Sequence, residues 1–230
     1  MKRKIALITG GNRGIGYAIA QGLLAKGYRV IITARSLEKA QQAGSKLQGD
    51  VLSVELDISS DSSIEAALTT VSQNIDSLDV LVNNAGIYPD SNVNILTVER
   101  EVLSSGLNTN TFGTIKMVQT FLPLLEKSED ARVINVSSGM GALSGLTTTA
   151  PSYCLSKLAL NGATLMLAHS LSSKGIAVNS MCPGWVQTDM GGTSAPRTPE
   201  QGADTAIWLA TEASRDETGG FWRDRTEISY

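Results

Sequence analysis

The chain has 230 residues, of which 42% are hydrophobic and 18% charged, a balance that can bury a core and excludes a wholly disordered protein. Its net charge of -3 at pH 7 argues against nucleic-acid binding, which needs clustered lysine and arginine. No apolar run approaches the roughly 18 residues of a membrane span. The apolar run after the basic start is too short for a signal peptide, so we expect a cytoplasmic protein.

Short runs rich in Val, Ile and Leu alternate along the chain with longer stretches of helical periodicity, which is typical of strands buried between helices. The sequence predicts strands at residues 5–9, 29–33, 51–56, 80–82, 133–137 and 176–182, with a short last strand near Phe221. It predicts helices at residues 15–26, 37–47, 62–75, a long stretch ending near Lys127, 152–173 and 199–211. This order predicts one α/β domain over residues 1–230, a Rossmann-type doubly wound parallel sheet of about seven strands flanked by helices.

A glycine-rich turn follows the first predicted strand. Glycines let backbone N–H groups approach a pyrophosphate, and the following helix N-terminus favours negative charge. The spacing Thr-Gly-x3-Gly-x-Gly resembles that of the short-chain dehydrogenase/reductase family. We expect this turn to bind a dinucleotide through Gly10, Asn12, Arg13, Gly14, Ile15 and Gly16.

The end of the second predicted strand selects between the two nicotinamide dinucleotides, because an acid there binds a ribose 2′-hydroxyl and a base binds a 2′-phosphate. The chain has Thr33-Ala34-Arg35-Ser36 there, without a carboxylate. Arg35 can offer a bidentate fork to phosphate, and Arg13 of the glycine turn is a second cation. The sequence therefore predicts NADPH/NADP+ as the cofactor.

Tyr153 and Lys157 lie four residues apart in a predicted helix and project from one face. A phenol is a weak acid–base group at neutral pH, and a nearby ammonium is expected to bring its pKa toward the working range. The pair follows a strand that ends in Ser137-Ser138-Gly139. The family resemblance implies that Tyr153 is the catalytic acid and that Lys157 holds the nicotinamide ribose.

The resemblance supplies two more catalytic candidates. It implies that a serine after the fifth strand binds the substrate carbonyl, with Ser138 favoured over Ser137. It also implies an asparagine in the long helix that relays protons, with Asn110 favoured over Asn108. Ser138 and Tyr153 are 15 positions apart, slightly more than the family's usual spacing, so a small insertion is expected between them.

Three further segments match family motifs that line the cofactor, and the resemblance covers essentially the whole chain from Ile5. Asp57 would accept a hydrogen bond from the adenine amino group, although it could instead cap the next helix. The neighbouring Ile58 is also implied to contact the cofactor. The turn after the fourth strand and the loop after the sixth would line the rest of the cofactor. The residues implied in these two segments are Asn84, Ala85, Gly86, Pro183, Gly184, Val186 and Thr188.

The predicted function is reduction of a ketone or aldehyde by hydride transfer, because the resemblance is greatest to the carbonyl reductase branch. The alternatives are a non-catalytic NADPH-binding redox sensor, an alcohol dehydrogenase and a 3-oxoacyl thioester reductase. A hydrolase is disfavoured because the chain has no Gly-x-Ser-x-Gly motif and only one histidine. Cys154 and Cys182 belong to no metal-ligand cluster and no CxxC motif, so no metal and no disulfide are expected.

Three loops rich in Gly, Pro, Ser and Thr each follow a predicted strand, at residues 88–96, 139–150 and 191–199. We expect them to be mobile and to form the rim of the substrate site. The rim and the neighbouring loop residues carry Tyr88, Met140, Leu143, Trp185 and Met190, which favours an apolar or aromatic carbonyl substrate. Small residues on the helix of Tyr153 and the family resemblance predict a homodimer or homotetramer.

Overall fold

The computed structural model describes residues 3–230. Its sheet runs in the order β3-β2-β1-β4-β5-β6-β7-β8, and the first seven strands are parallel. The strands are β1 (Ile5–Ile8), β2 (Arg29–Ala34), β3 (Val51–Glu55), β4 (Val80–Asn83), β5 (Arg132–Val136), β6 (Ala177–Met181), β7 (Phe221–Arg223) and β8 (Thr226–Ile228). The predicted doubly wound α/β sheet is therefore confirmed.

The helices that cover the sheet match the predicted segments in number and order, except in the long segment before residue 127. They are α1 (Gly14–Ala25), α2 (Leu37–Gly44), α3 (Asp61–Ser72), α4 (Arg100–Leu107), α5 (Thr114–Leu125), α6 (Pro151–Leu171) and α7 (Pro199–Thr211). A π-helical turn at Asn108–Gly113 joins α4 to α5. The predicted single long helix is thus interrupted, and such π-turns are frequently found at functional sites.

Two apolar layers hold the helices on the sheet because successive strand side chains point to opposite faces. In β1, Leu7 packs with the core of α3, α5 and α6. Its neighbours in the strand, Ala6 and Ile8, pack instead with the core of α1 and α7. Both faces of β1 are buried, which explains why its sequence is a continuous apolar run rather than an alternating one.

The eighth strand departs from the prediction of about seven. It pairs antiparallel with β7, with Arg223 opposite Thr226, and the two intervening residues, Asp224 and Arg225, have φ of 51° and 60°. Two consecutive positive φ values are typical of a tight hairpin turn. Neither of these two positions holds a glycine or an asparagine, the residues that most strongly indicate such a turn.

Candidate active site

The site lies where the strand order reverses, between β1 and β4. From β1 the chain builds one half of the sheet through β2 and β3, and from β4 it builds the other half. The Thr9 hydroxyl oxygen accepts hydrogen bonds from the backbone N–H groups of Asn84 and Ala85, both at 2.9 Å. The Asn84 amide in turn donates to the Thr9 carbonyl at 2.9 Å. The glycine turn and the turn after β4 are therefore joined at the point where such sheets bind ligands.

The glycine turn is shaped by two glycines that no other residue could replace without strain. Gly14 has a φ of +54°, and a Cβ at Gly16 would lie 2.4 Å from the Asn84 amide nitrogen. Gly10 and Ile15 are half-buried in the same turn. The backbone is thereby left open at the N-terminus of α1, as an approaching phosphate requires.

Asn12 lines a surface cavity of about 390 Å³ between α1 and α2, together with Lys39 and Lys46. The two ammonium groups were not identified from the sequence. Lys39 lies on the first turn of α2, which begins two residues after Arg35, and no local spacing in the sequence indicated it. The adenosine end of the predicted site therefore carries more positive charge than the two predicted arginines.

The two predicted arginines occupy different surroundings. Arg35 is exposed directly after β2. The pKa of Asp57 is lowered first by its hydrogen bond with Ser59, with a further contribution from the positive charge of Arg35. Arg13 is exposed and forms an ion pair with Asp189, from the loop after β6. The ion pair was not expected from the sequence, and it connects two segments predicted to hold the cofactor.

The structure decides between the two interpretations of Asp57. Its Oδ1 accepts from the Ser59 N–H at 2.9 Å and from the Ser59 hydroxyl at 2.6 Å. The cap of α3 is Ser60, whose side chain accepts from the Ser63 N–H. Asp57 is therefore not the helix cap. Ile58 is buried next to it, and its carbonyl oxygen would lie 2.1 Å from a Cβ on Gly113 of the π-turn.

The loop after β6 folds back over the glycine turn. Val186 is buried and forms a parallel bridge with Arg197. The Thr188 methyl carbon would be 3.1 Å from a Cβ on Gly14. Pro183 and Gly184 are half-buried at the start of this loop. The predicted segment of residues 183–188 thus reaches the N-terminus of α1, which encloses the crevice from the opposite side.

Tyr153 lies on the first turn of α6, with its side chain half-buried. Its hydroxyl shares a hydrogen bond with the Ser138 side chain. Ser137, the rival candidate, is buried and donates to the Lys157 carbonyl at 3.4 Å. The geometry thus brings Ser138, and not Ser137, to the phenol. The Tyr88 ring packs edge-on against Tyr153, with 4.7 Å between ring centroids.

The prediction that Lys157 brings the pKa of Tyr153 toward neutrality is wrong for this structure. Burial raises the pKa of Tyr153 to about 12, although the hydrogen bond with Ser138 acts in the opposite direction. Burial lowers the pKa of Lys157 to about 8. The Lys157 Nζ atom lies over the Tyr153 ring, 5.8 Å from its centroid, so its charge is not directed at the phenol oxygen. Desolvation therefore outweighs the attraction between the two groups.

Lys157, Asn110 and Gly86 meet behind the phenol. A Cβ on Gly86 would be 3.0 Å from the Asn110 Oδ1 atom and 3.6 Å from the Lys157 Nζ atom. The Asn110 side chain is fully buried, accepting from the Ile87 N–H at 2.8 Å and donating to the Ser156 hydroxyl at 2.9 Å. The rival Asn108 instead donates to the Ser59 carbonyl at 3.2 Å. Asn110, rather than Asn108, therefore lies beside Gly86 together with Lys157.

Two of the three predicted rim loops are joined to each other. Asn94 and Thr149 form an antiparallel bridge, and the Ala150 N–H donates to the Val93 carbonyl at 2.9 Å. The expected insertion between Ser138 and Tyr153 contains two short 3-10 turns, Gly139–Gly141 and Leu143–Gly145. The predicted mobility of these loops stays a prediction.

Residues 3–230 contain no metal-binding cluster, no membrane-spanning helix and no disulfide. No group of three or more His, Cys, Asp or Glu side chains in this range could hold a metal ion. The helices described there are all too short or too polar to cross a membrane. Both cysteines are free and buried.

Known proteins share both the sequence and the shape of this chain. The short chain dehydrogenase family model matches residues 4–198. A short-chain dehydrogenase of Penicillium roqueforti, anuI, is 37% identical over 95% of this chain and 92% of its own length. A 3-oxoacyl-acyl-carrier-protein reductase of Vibrio cholerae, FabG, is 33% identical over 83% of this chain and 76% of its own length.

A solved structure extends the similarity to the whole fold. The NADPH-bound carbonyl reductase from chicken fatty liver superimposes with a TM-score of 0.90 at 29% identity, covering all of both chains. The family model covers most of the chain, including the glycine turn and the Tyr153–Lys157 helix. The chain therefore belongs to the short-chain dehydrogenase family of oxidoreductases.

Proposed function

We propose that the chain is an NADPH-dependent reductase that converts a ketone or aldehyde carbonyl to an alcohol, with Tyr153 as the general acid. The observation that carries the proposal is the contact between the Ser138 and Tyr153 hydroxyls beside the buried Lys157. A phenol with a pKa of about 12 is fully protonated at neutral pH. It is therefore in the state required to donate a proton to a developing alkoxide.

Bound NADPH would supply the hydride. The Ser138 and Tyr153 hydroxyls would donate hydrogen bonds to the substrate carbonyl oxygen, which stabilises the negative charge as it develops. Tyr153 would then transfer its proton to that oxygen. Lys157 and Asn110 would relay the replacement proton, because both adjoin Gly86 behind the phenol.

The residues at the crevice fit NADPH in charge and in shape. At the adenosine end, Arg35 and Arg13 are exposed and no carboxylate occupies the end of β2. At the nicotinamide end, Gly86 is packed so closely against Asn110 and Lys157 that a side chain there would push on both. The chicken carbonyl reductase is NADPH-bound, which supports the same choice of cofactor here. We assign the cofactor contacts to the glycine turn, Arg35, residues 57–58, residues 84–86, Lys157 and residues 183–188.

The rim favours an apolar substrate. Trp185 is 56% exposed even though its indole N–H is satisfied by the Gly191 carbonyl at 2.8 Å. Its exposed face is therefore apolar and has no hydrogen-bonding role. Leu143 and Met190 are also exposed, at 68% and 48%. Contiguous exposed apolar surface marks ligand-binding grooves, and if these three side chains line one surface of the crevice, an alkyl or aromatic ketone or aldehyde is the substrate that fits it.

The first experiment is to follow NADPH oxidation at 340 nm against aldehydes, aromatic ketones, quinones and β-ketoacyl esters, with NADH in parallel. We expect turnover with NADPH and no turnover by Tyr153→Phe, which should still bind the cofactor. Turnover confined to β-ketoacyl esters would support the activity named for the Vibrio cholerae relative. Tight NADPH binding without turnover on the whole panel would refute the reductase and support a redox sensor.

We also propose that the protein is a single domain that assembles as a dimer or tetramer through α6. The outer face of this helix exposes Leu155 and Met166 at 39% and 74%. Gly162 lies between them, with no atom within 4 Å of where a Cβ would stand, so a second copy could approach closely. A monomeric mass by light scattering would refute this assembly.

A further inference from the structure

The start of α6, which carries Tyr153, has no cap of its own. Its N-cap residue is Ala150, which has no polar side chain and a left-handed φ of 55°. The first turn of any helix has N–H groups without intrahelical partners. Pro151 has no N–H to satisfy, and the Ala150 N–H donates to the Val93 carbonyl at 2.9 Å. The Ser152 and Tyr153 N–H groups therefore need an acceptor from elsewhere.

Asp90 supplies that acceptor from the loop after β4. Its Oδ2 atom accepts from the Ser152 N–H at 2.5 Å, and its Oδ1 atom accepts from the Tyr153 N–H at 3.3 Å. The residue is 1% exposed. A buried carboxylate is unfavourable unless its charge is compensated, and here the positive end of α6 and two N–H donors compensate it. The Oδ1 atom of Asp90 thus accepts a hydrogen bond directly from the backbone of Tyr153, the proposed general acid.

The same loop also contacts the ring of Tyr153. Tyr88, two residues before Asp90, packs edge-on against it at 4.7 Å. Gly86, a further two residues back, adjoins Lys157 and Asn110. A single short segment thus touches the phenol ring, its backbone and the proposed proton relay.

We propose that Asp90 is a positioning residue for Tyr153, an inference that rests on the proposed function. By accepting from the Ser152 and Tyr153 N–H groups, it fixes the first turn of α6 relative to the cofactor side of the crevice. The phenol is thereby held at the distance from the substrate oxygen that proton transfer requires. A misplacement of about 1 Å at a reacting group can lower the rate about 100-fold.

The test compares kcat, KM and the NADPH dissociation constant of Asp90→Ala and Asp90→Asn with those of the wild-type protein. We expect Asp90→Ala to lower kcat by about 30- to 100-fold, with the dissociation constant of NADPH changed by less than about threefold. The phosphate end of the cofactor site lies on other elements, which is why binding should persist. Asp90→Asn keeps one acceptor oxygen and should recover about tenfold of the lost kcat.

Ser152→Ala is the matched control. The Ser152 hydroxyl donates to the Val102 carbonyl at 2.6 Å, so the variant loses a hydrogen bond at the same helical turn. Its backbone N–H still reaches Asp90. Rates are normalised to the concentration of folded protein that binds NADPH. An equal fall of kcat in Ser152→Ala and Asp90→Ala would show general loosening of the helix and would overturn the proposal.

A second readout does not depend on turnover. Deuterium exchange of a peptide covering residues 150–157 should be faster in Asp90→Ala than in the wild-type protein and in Ser152→Ala. Unchanged exchange, or an unchanged kcat, would overturn the positioning role. If the wild-type protein reduced no carbonyl, the proposed function would fail, and the exchange measurement would decide separately whether Asp90 holds the Tyr153 backbone.

Discussion

The Lys157 ammonium donates a hydrogen bond to the Val136 carbonyl oxygen at 2.7 Å, which connects the middle of the site to the end of β5. The side chain is buried, with 4% of the residue exposed. An ammonium in such surroundings loses most of its hydration, and burial accordingly lowers its pKa to about 8. The proposed relay lysine is thus held charged at neutral pH against an unfavourable desolvation energy.

We predict that Lys157→Met abolishes turnover and stabilises the fold. A pKa lowered from 10.5 to about 8 corresponds to about 3 kcal/mol of unfavourable burial, at 1.36 kcal/mol per pKa unit. Loss of the hydrogen bond to Val136 offsets about 1 kcal/mol of this. The free energy of unfolding at pH 7, measured in urea, should therefore rise by about 2 kcal/mol.

The pH dependence of that stabilisation follows from linkage. Below pH 8 Lys157 is protonated in both the folded and the unfolded wild-type chain, so the full energetic cost of burying its charge lowers the stability of the folded state. Between pH 8 and 10.5 the folded chain releases the proton first, and wild-type stability rises relative to the variant. Lys127→Met, at an exposed lysine, is the control and should change little at any pH. A destabilised Lys157→Met at pH 7 would contradict the argument.

A second prediction concerns the pH dependence of carbonyl reduction. Tyr153 must be protonated to donate, and a pKa of about 12 keeps it so across the accessible range. Lys157 must be charged to replace the proton, and its pKa is about 8. We expect kcat to be level below pH 8 and to fall above it, approaching a tenfold loss per pH unit. A plateau continuing to pH 10 would exclude Lys157 from the relay.

A third prediction concerns the choice between NADPH and NADH. Arg35 is exposed, and a charge-assisted hydrogen bond to a 2′-phosphate contributes about 1.5 to 3 kcal/mol. Arg35→Asp should therefore lower the ratio of kcat/KM for NADPH over NADH by at least about tenfold. Lys127→Asp changes the net charge by the same amount away from the site and should leave the ratio unchanged. An unaltered ratio in Arg35→Asp would refute the assignment.

The sequence predicted the parallel strands of this protein well, because each is a short apolar run of the same kind. Buried parallel strands are continuous apolar runs, so the sequence located β1 through β6 to within one residue at each end. The short strand predicted near Phe221 corresponds to β7, but β8 was missed because the turn between the two strands uses Asp224 and Arg225 with positive φ. Aspartate is among the residues enriched at positive φ but arginine is not, so this pair is a weaker hairpin signal than Asn-Gly or Asp-Gly.

Within the site, sequence motifs identified the side chains but not their surroundings. Ser138 and Asn110 lie near Tyr153 and Lys157, whereas Ser137 and Asn108 have other partners. The sequence could not show that burial, rather than Lys157, dominates the pKa of Tyr153, because burial depends on tertiary packing.

Asp90 and the Arg13–Asp189 ion pair were both missed because their partners are distant along the chain. Asp90 bonds residues more than 60 positions away, and Asp189 is 176 positions from Arg13. No local spacing indicates such contacts.

A fourth prediction concerns the close packing of Asn110 and Lys157 around Gly86. An added methyl would stand 3.0 Å from the Asn110 Oδ1 atom and 3.6 Å from the Lys157 Nζ atom. Gly86→Ala should therefore displace the proposed relay and lower kcat by about tenfold or more, while overpacking costs about 1 kcal/mol or more of stability. Gly162→Ala places the same methyl in open space on α6 and should retain full activity. Equal activity in the two variants would mean that the absence of a side chain at Gly86 does not matter for catalysis.

The last prediction concerns the ion pair between Arg13 and Asp189. Both side chains are largely exposed, at 65% and 73%, and exposed ion pairs contribute only about 0 to 1 kcal/mol. A cofactor phosphate, which carries more charge and can accept a bidentate fork, should therefore displace Asp189 from Arg13. The carboxylate competes with the cofactor for this cation.

Asp189→Asn removes the competitor and should tighten NADPH binding by up to about fivefold, the equivalent of 1 kcal/mol. Arg13→Ala should weaken binding, and the double variant should bind as weakly as Arg13→Ala alone, since Asp189 acts only through Arg13. Titration of cofactor fluorescence measures all three. The gain in Asp189→Asn should shrink as salt rises toward 1 M, where the screening length is about 3 Å. Weaker NADPH binding by Asp189→Asn at low salt would instead mean that the ion pair helps to hold the loop after β6 closed over the glycine turn.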